Sequence, residues 1–162
     1  MAAVYVVSES PSRVRAFRGA VFGNMLVLLV QFLLGMDANL FVKVPGHHPA
    51  SNAANYFGGV AHVIPWAIGD GALGLLRIHV VLGLLLVLGS LSLVFQAARL
   101  AERSWLIWAI VGALGVIGAG FNGASFLIYH HDFSSMLMAA GFALAVFAYA
   151  VLSYIVPAEG RH

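Results

Sequence analysis

Six of the seven histidines, His47, His48, His62, His79, His130 and His131, gather with Asp37, Asp70 and Asp132 at one end of the apolar segments traced below, while the other end carries mainly arginine. Imidazole is the commonest nitrogen ligand for zinc, copper and haem iron, and a metal-bound imidazole usually passes its second N–H to a carboxylate or carbonyl. These residue types suit a cofactor site holding haem b or a transition metal (copper, zinc or iron). His47, His48, His62, Asp37 and Asp132 are candidate metal ligands. The other reading is that an outer surface uses histidine as an ordinary polar residue, and neighbours such as His47 with His48, or His130 with His131, cannot both point inward.

His79 is the strongest single candidate, because it sits about one turn inside an apolar segment, where an ionisable side chain needs a partner or a cavity. Gly83 lies one turn below it, so a ligand nitrogen would stand above a patch free of side chains, a surface that suits a flat porphyrin. A neutral His79 hydrogen-bonded across the helices is the alternative. Asn24, Gln31 and Gly35 share one helical face that should look inward, and Asn122, Ser125 and Tyr129 repeat at helical spacing near the same end. Together they predict a polar pocket. Met36 with Met136 or Met138 can approach one another there, although lipid-facing or packing roles account for methionine equally well.

The elements that must position these residues follow from composition. With 62% of its 162 residues hydrophobic and 9% charged, a water-soluble fold would be covered in apolar patches, so a bilayer is the natural solvent. Crossing ~30 Å of hydrocarbon takes about 20 helical residues, since all backbone polar groups must be satisfied within the segment. Four such stretches run over about 19–41, 73–95, 105–128 and 134–156. The expected fold is an all-α membrane protein, a four-transmembrane-helix bundle forming a single domain, with a long extracytoplasmic loop between helices 1 and 2. That link, 43–72, holds Pro45, Pro49 and Pro65, and its middle, 53–64, can form an interfacial helix that lids the bundle.

Arg13, Arg15 and Arg18 precede the first segment, Arg99 and Arg103 lie between the second and third, and Arg161 follows the fourth. The positive-inside rule therefore places both termini in the cytoplasm and the histidine end outside. The first segment is too long for a cleavable signal peptide, and residues 1–18 read as a polar lead-in that is partly ordered at best. Basic residues spread over short loops argue against a nucleic-acid partner. With no cysteine in the chain, thiolate metal sites, iron–sulfur clusters and thioether-linked haem are excluded. Gly115, Ala119 and Gly123, at four-residue spacing, form a stripe of small residues that lets helices approach closely, within a bundle or across a dimer.

The order of these features resembles one four-helix half of the haem A synthase family: Gln31 to Gly35 as QFLLG, an outer loop bearing Pro and His, then Ile78 and His79 opening a helix. The resemblance implies a haem site in which His79 matches the histidine near the outer end of the family's second helix. The family's second histidine, in the fourth helix, has no counterpart in 134–156, and His130 or His131 stands nearest.

Three functions fit the sequence. The first is a haem- or metal-binding redox protein with a histidine-lined outer site, where His79, His130, His131, Gly83, Gln31, Asn122 and Tyr129 surround the cofactor. The second is a non-catalytic accessory subunit of a larger membrane complex, and a homo-oligomer in the lipid is an equally natural partner arrangement. The third is a small proton or metal-cation transporter using Asp37, Gln31, Asn24 and Asn122, which lacks the acidic residues at mid-membrane that such a path usually needs.

Overall fold

The computed structural model describes residues 11–51, 53–69 and 74–158, and five helices account for most of them. These are α1 (Pro11–Phe41), α2 (Tyr56–Ile68), α3 (Gly74–Arg99), α4 (Arg103–Tyr129) and α5 (Asp132–Ile155). All but α2 are long and apolar enough to cross a membrane, which makes the chain a multi-pass integral membrane protein. Leucines on the outward faces, such as Leu33, Leu88 and Leu114, are more than half exposed. In lipid that exposure costs nothing.

The four long helices form a ring in which α1 packs on α3, α3 on α4, α4 on α5 and α5 back on α1. Among the described residues, the backbones of α3 and α5 do not approach each other across one diagonal, nor do those of α1 and α4 across the other, where side chains alone meet. The α4–α5 seam is the closest: a methyl group added at Gly115 would lie 2.7 Å from the Gly141 carbonyl oxygen, and one at Gly141 would lie 2.7 Å from the Gly115 carbonyl oxygen. The small-residue stripe is therefore spent inside the monomer, where Gly115 and Ala119 meet α5 backbone and Gly123 meets the Met138 sulfur.

The arginine-bearing half of the bundle is filled. Phe17, Val21, Leu93, Tyr149, Leu152 and Val156 are buried there, and Phe17 stacks on Trp105 with ring centroids 5.9 Å apart. This packing explains why the helix takes in residues 11–18, ahead of the expected start near residue 19. Residues 11–18, expected to be only partly ordered, are helical and give the core Phe17; the lead-in before Pro11 lies outside the described residues.

The expected long loop between the first two spanning segments is corrected by α2, which occupies 56–68 and so extends past the anticipated 53–64. Asn55 caps it, its side-chain oxygen accepting from the Gly58 N–H at 2.8 Å. Its C-terminal end is held by Arg77, whose guanidinium donates to the Gly69 carbonyl, a cation where the helix dipole favours one. The helix lies flat against α3 and α4. Gly59 allows this, since a side chain there would strike Ile128 at 2.8 Å. Val63, Ala50, Leu76, Leu127 and Ile128 form a second, smaller core beneath the lid.

Candidate functional site: a chamber under the α2 lid

Between the filled half and α2, the ring forms a half-open chamber of about 630 Å³, within the ~300–1,000 Å³ usual for small-molecule and cofactor sites. Its walls are mainly apolar, from Leu28, Leu86, Val116 and Phe142 at the base to Tyr56 and Ile64 at the lid. The polar exceptions include Gln31, His79 and His130.

His79 projects from α3 against α1. Its ring sits where Gly35 has no side chain, with Cε1 2.9 Å from the position of an added Cβ. Gln31 of α1 reaches the same helix: its Nε2 donates to the His79 carbonyl at 3.0 Å and stands 3.5 Å from the His79 Nε2. The other ring nitrogen, Nδ1, is buried with no hydrogen-bond partner, as is Gln31 Oε1. Gly83 has a different use from the expected porphyrin face. The Gln31 amide occupies its empty side, 3.0 Å from where a Cβ would stand.

At the mouth, His48 is buried and stacks on Trp66, with ring centroids 5.2 Å apart. The edge of His130 approaches the same ring at 5.8 Å. Nδ1 of His48 accepts from the Ala50 N–H at 3.3 Å, which closes a tight turn before α2. Burial first, and His130 second, hold the His48 pKa below its usual value, while the Leu127 backbone works the other way. His48 is accordingly neutral at physiological pH. Tyr56 donates its hydroxyl to the Phe121 carbonyl at 2.8 Å and stacks on the Phe121 ring at 4.5 Å. Burial, and then nearby Tyr129, push that phenol above its ordinary range, so it stays a donor.

The other sequence candidates scatter. His47, His62, Asp37 and Asp132 are exposed and do not line the chamber, and among the described residues no three His, Asp or Glu side chains converge to hold a metal ion. The structure therefore does not bring these candidate metal ligands together. His131 stacks on Tyr129 at 5.8 Å, outside the chamber. Asn122 turns back to its own helix, donating to the Gly118 carbonyl at 2.8 Å, and Ser125 pairs with Ser134 on the α4–α5 seam. Asp70 and His162 lie outside the described residues.

A second polar group sits deeper, where Asn24 fills the space beside Gly89 and the Tyr149 hydroxyl lies near Ser90 and Asn24. The inward face predicted for α1 is thus correct for Asn24, Gln31 and Gly35. Two features escaped sequence reasoning: the His48–Trp66 stack and the position of Met138 in the chamber wall. His48 lies in the link before α2, so no helical periodicity relates it to Trp66. Comparison of the chain with family models, with curated proteins and with solved structures yields no match.

Proposed function

We propose that the chain is a membrane haem-binding redox protein, with His79 as an iron ligand inside the chamber and α2 as its lid on the extracytoplasmic side. The observation that carries this reading is that His79, whose Nδ1 is buried with no hydrogen-bond partner, is one of the few polar residues lining a cofactor-sized apolar cavity. A buried polar atom without a partner costs roughly 1–3 kcal/mol, and a native protein that tolerates it usually has a use for it. Dispersed carboxylates and imidazoles argue against a multidentate metal centre, whereas haem brings four of its own ligands and asks the protein for one or two.

The donor set suits that group. Gln31 fixes the α1–α3 pairing beside the His79 backbone, Gly35 gives the imidazole room, and apolar side chains make up most of the lining. Haem held there would supply one-electron exchange near the outer membrane surface. The decisive measurement is the absorption spectrum, oxidised and dithionite-reduced, of protein purified in mild detergent from cells supplied with a haem precursor. A Soret band that His79→Ala abolishes is the expected result. A spectrum without one in the wild-type protein, repeated after hemin titration, refutes the reading, and co-purification with larger subunits would then favour the accessory-subunit role.

A further inference from the structure

We infer that the chamber opens sideways into the bilayer and binds a membrane-dissolved lipid with a long apolar chain and an uncharged polar head. Residues that line the chamber and are also exposed stand at its edge. On one side these are Phe32 and Met36 of α1 with Ala139 of α5, which lies one turn from the Phe142 that stacks on Phe32. On the other they are Leu84 of α3 with Ile117, Gly120 and Phe121 of α4. The backbone of α2 approaches α3 and α4 but neither α1 nor α5, so the roof stops short of the first edge.

Both edges lie deep in the membrane. Measured from Phe41, Gly74 and Tyr129, the outer ends of their helices, Phe32, Leu84 and Ile117 are about 14–18 Å down at ~1.5 Å per residue. In a hydrocarbon core ~30 Å thick, openings at that depth face lipid tails and not water. An empty apolar cavity forfeits the dispersion contacts its lining would make, and a lipid chain is the filler within reach. The lining sets the rest of the ligand. Among the described residues no Asp, Glu, Lys or Arg lines the chamber, so a charged head would stand in hydrocarbon without a partner. Asn39, His130 and Ser135, the polar lining residues nearest the outer helix ends, suit a hydroxyl or carbonyl head, while Leu28, Leu86, Val116 and Phe142 receive the chain. This site goes beyond the haem reading and does not need it; haem in the same volume would compete with the chain.

The test is photolabelling of the full chain, free of haem and reconstituted in phosphatidylcholine vesicles, with hexadecanol carrying a diazirine at mid-chain. Labelled residues are read by peptide mass spectrometry. Label on Leu86 or Val116, buried at the chamber base, that excess unlabelled hexadecanol displaces is the expected result. Ala139→Trp and Gly120→Trp, which put bulk at the two edges, should each weaken it about tenfold, the order of penalty for overpacking a filled site. Leu114→Trp, on an outward face away from the chamber, should leave it unchanged. The same diazirine on hexadecyl phosphate should label the base far less, and equal labelling would overturn the uncharged head. Label confined to outward residues such as Leu88 and Leu114, or base label that excess alcohol does not displace, overturns the site itself. The wild-type pattern and its displacement decide this even where a variant fails to fold. Because hemin is absent throughout, a negative result leaves the haem reading standing, and a missing Soret band leaves the lipid site standing. Displacement by a prenyl quinone or by dioleoylglycerol then distinguishes the two sources of such a lipid.

Discussion

Gly35→Ala separates the placement of His79 from the stability of the bundle. An added Cβ would meet the imidazole Cε1 at 2.9 Å, against an ordinary carbon separation of about 3.5–4.0 Å, so the ring must retreat by roughly 0.6 Å or more. Because the obstacle is the end of a side chain, the helices need not part. Forcing the imidazole off its rotamer costs about 0.5–1.5 kcal/mol, and replacing glycine by alanine in a helix returns about 0.8–1.0 kcal/mol. The two nearly cancel, which predicts a melting temperature in detergent within about 2–4 °C of wild type. Hemin affinity should nevertheless fall ~10–100-fold, the usual penalty for disturbing the groups that orient a metal ligand. Melting by circular dichroism and hemin titration measure the two quantities on one sample. Unchanged affinity would refute the claim that Gly35 positions a ligand, and a collapse in melting temperature would show that the clash is not local.

At the α4–α5 seam the obstacle is backbone, so Gly115→Ala and Gly141→Ala should each destabilise by about 1–3 kcal/mol in detergent unfolding, whereas Gly118→Ala, with nothing within 4 Å of the added methyl, should not. Tyr56→Phe keeps the stack on Phe121 and removes one hydrogen bond, and hydrogen exchange in α2 should rise by the equivalent of about 0.5–1.5 kcal/mol. His48 has a folded pKa below its unfolded value, so the folded chain binds fewer protons between the two; the lid's stability is full above the unfolded pKa of about 6.5 and is lost as pH falls through the folded one. Hydrogen exchange over 43–51 should therefore accelerate in mild acid, and His48→Gln should flatten the response. The cysteine-free sequence makes orientation testable: a membrane-impermeant maleimide should label His62→Cys in intact cells and Ser104→Cys only after lysis.

Spanning helices are legible because each depends on a sum over some 20 residues, and no single contact reverses it. The number and order of the four long helices, and the inward face bearing Asn24, Gln31 and Gly35, follow from that periodicity. Histidine clustering by topology proved a coarser guide. Sharing one end of a bundle places His47, His62 and His130 within the same outer layer, but their direction depends on the α2 seat and on the caps. His130 shows this, with its left-handed backbone (φ 56°) set by how α4 ends. The spacing of Asn122 with Ser125 and Tyr129 points it inward, yet periodicity gives a face without saying what it faces. That face runs along the α5 seam, and Asn122 satisfies itself on its own backbone.

The glycines tie the packing to the proposed chemistry. Where glycine meets backbone, at Gly115 and Gly141, helices close on each other and the bundle is solid. At Gly35 with His79, Gly83 with Gln31 and Gly89 with Asn24, where glycine meets a polar side chain of another helix, the pairing is between α1 and α3. One helix surrenders its side chain so that the other can bring an amide or an imidazole into the interior without forcing the pair apart. Polar groups in hydrocarbon need such accommodation, because an unpaired one is costly and a loosely held one cannot be aimed. The α1–α3 pair therefore acts as the site-bearing half, and the α4–α5 pair as the rigid wall it is set against.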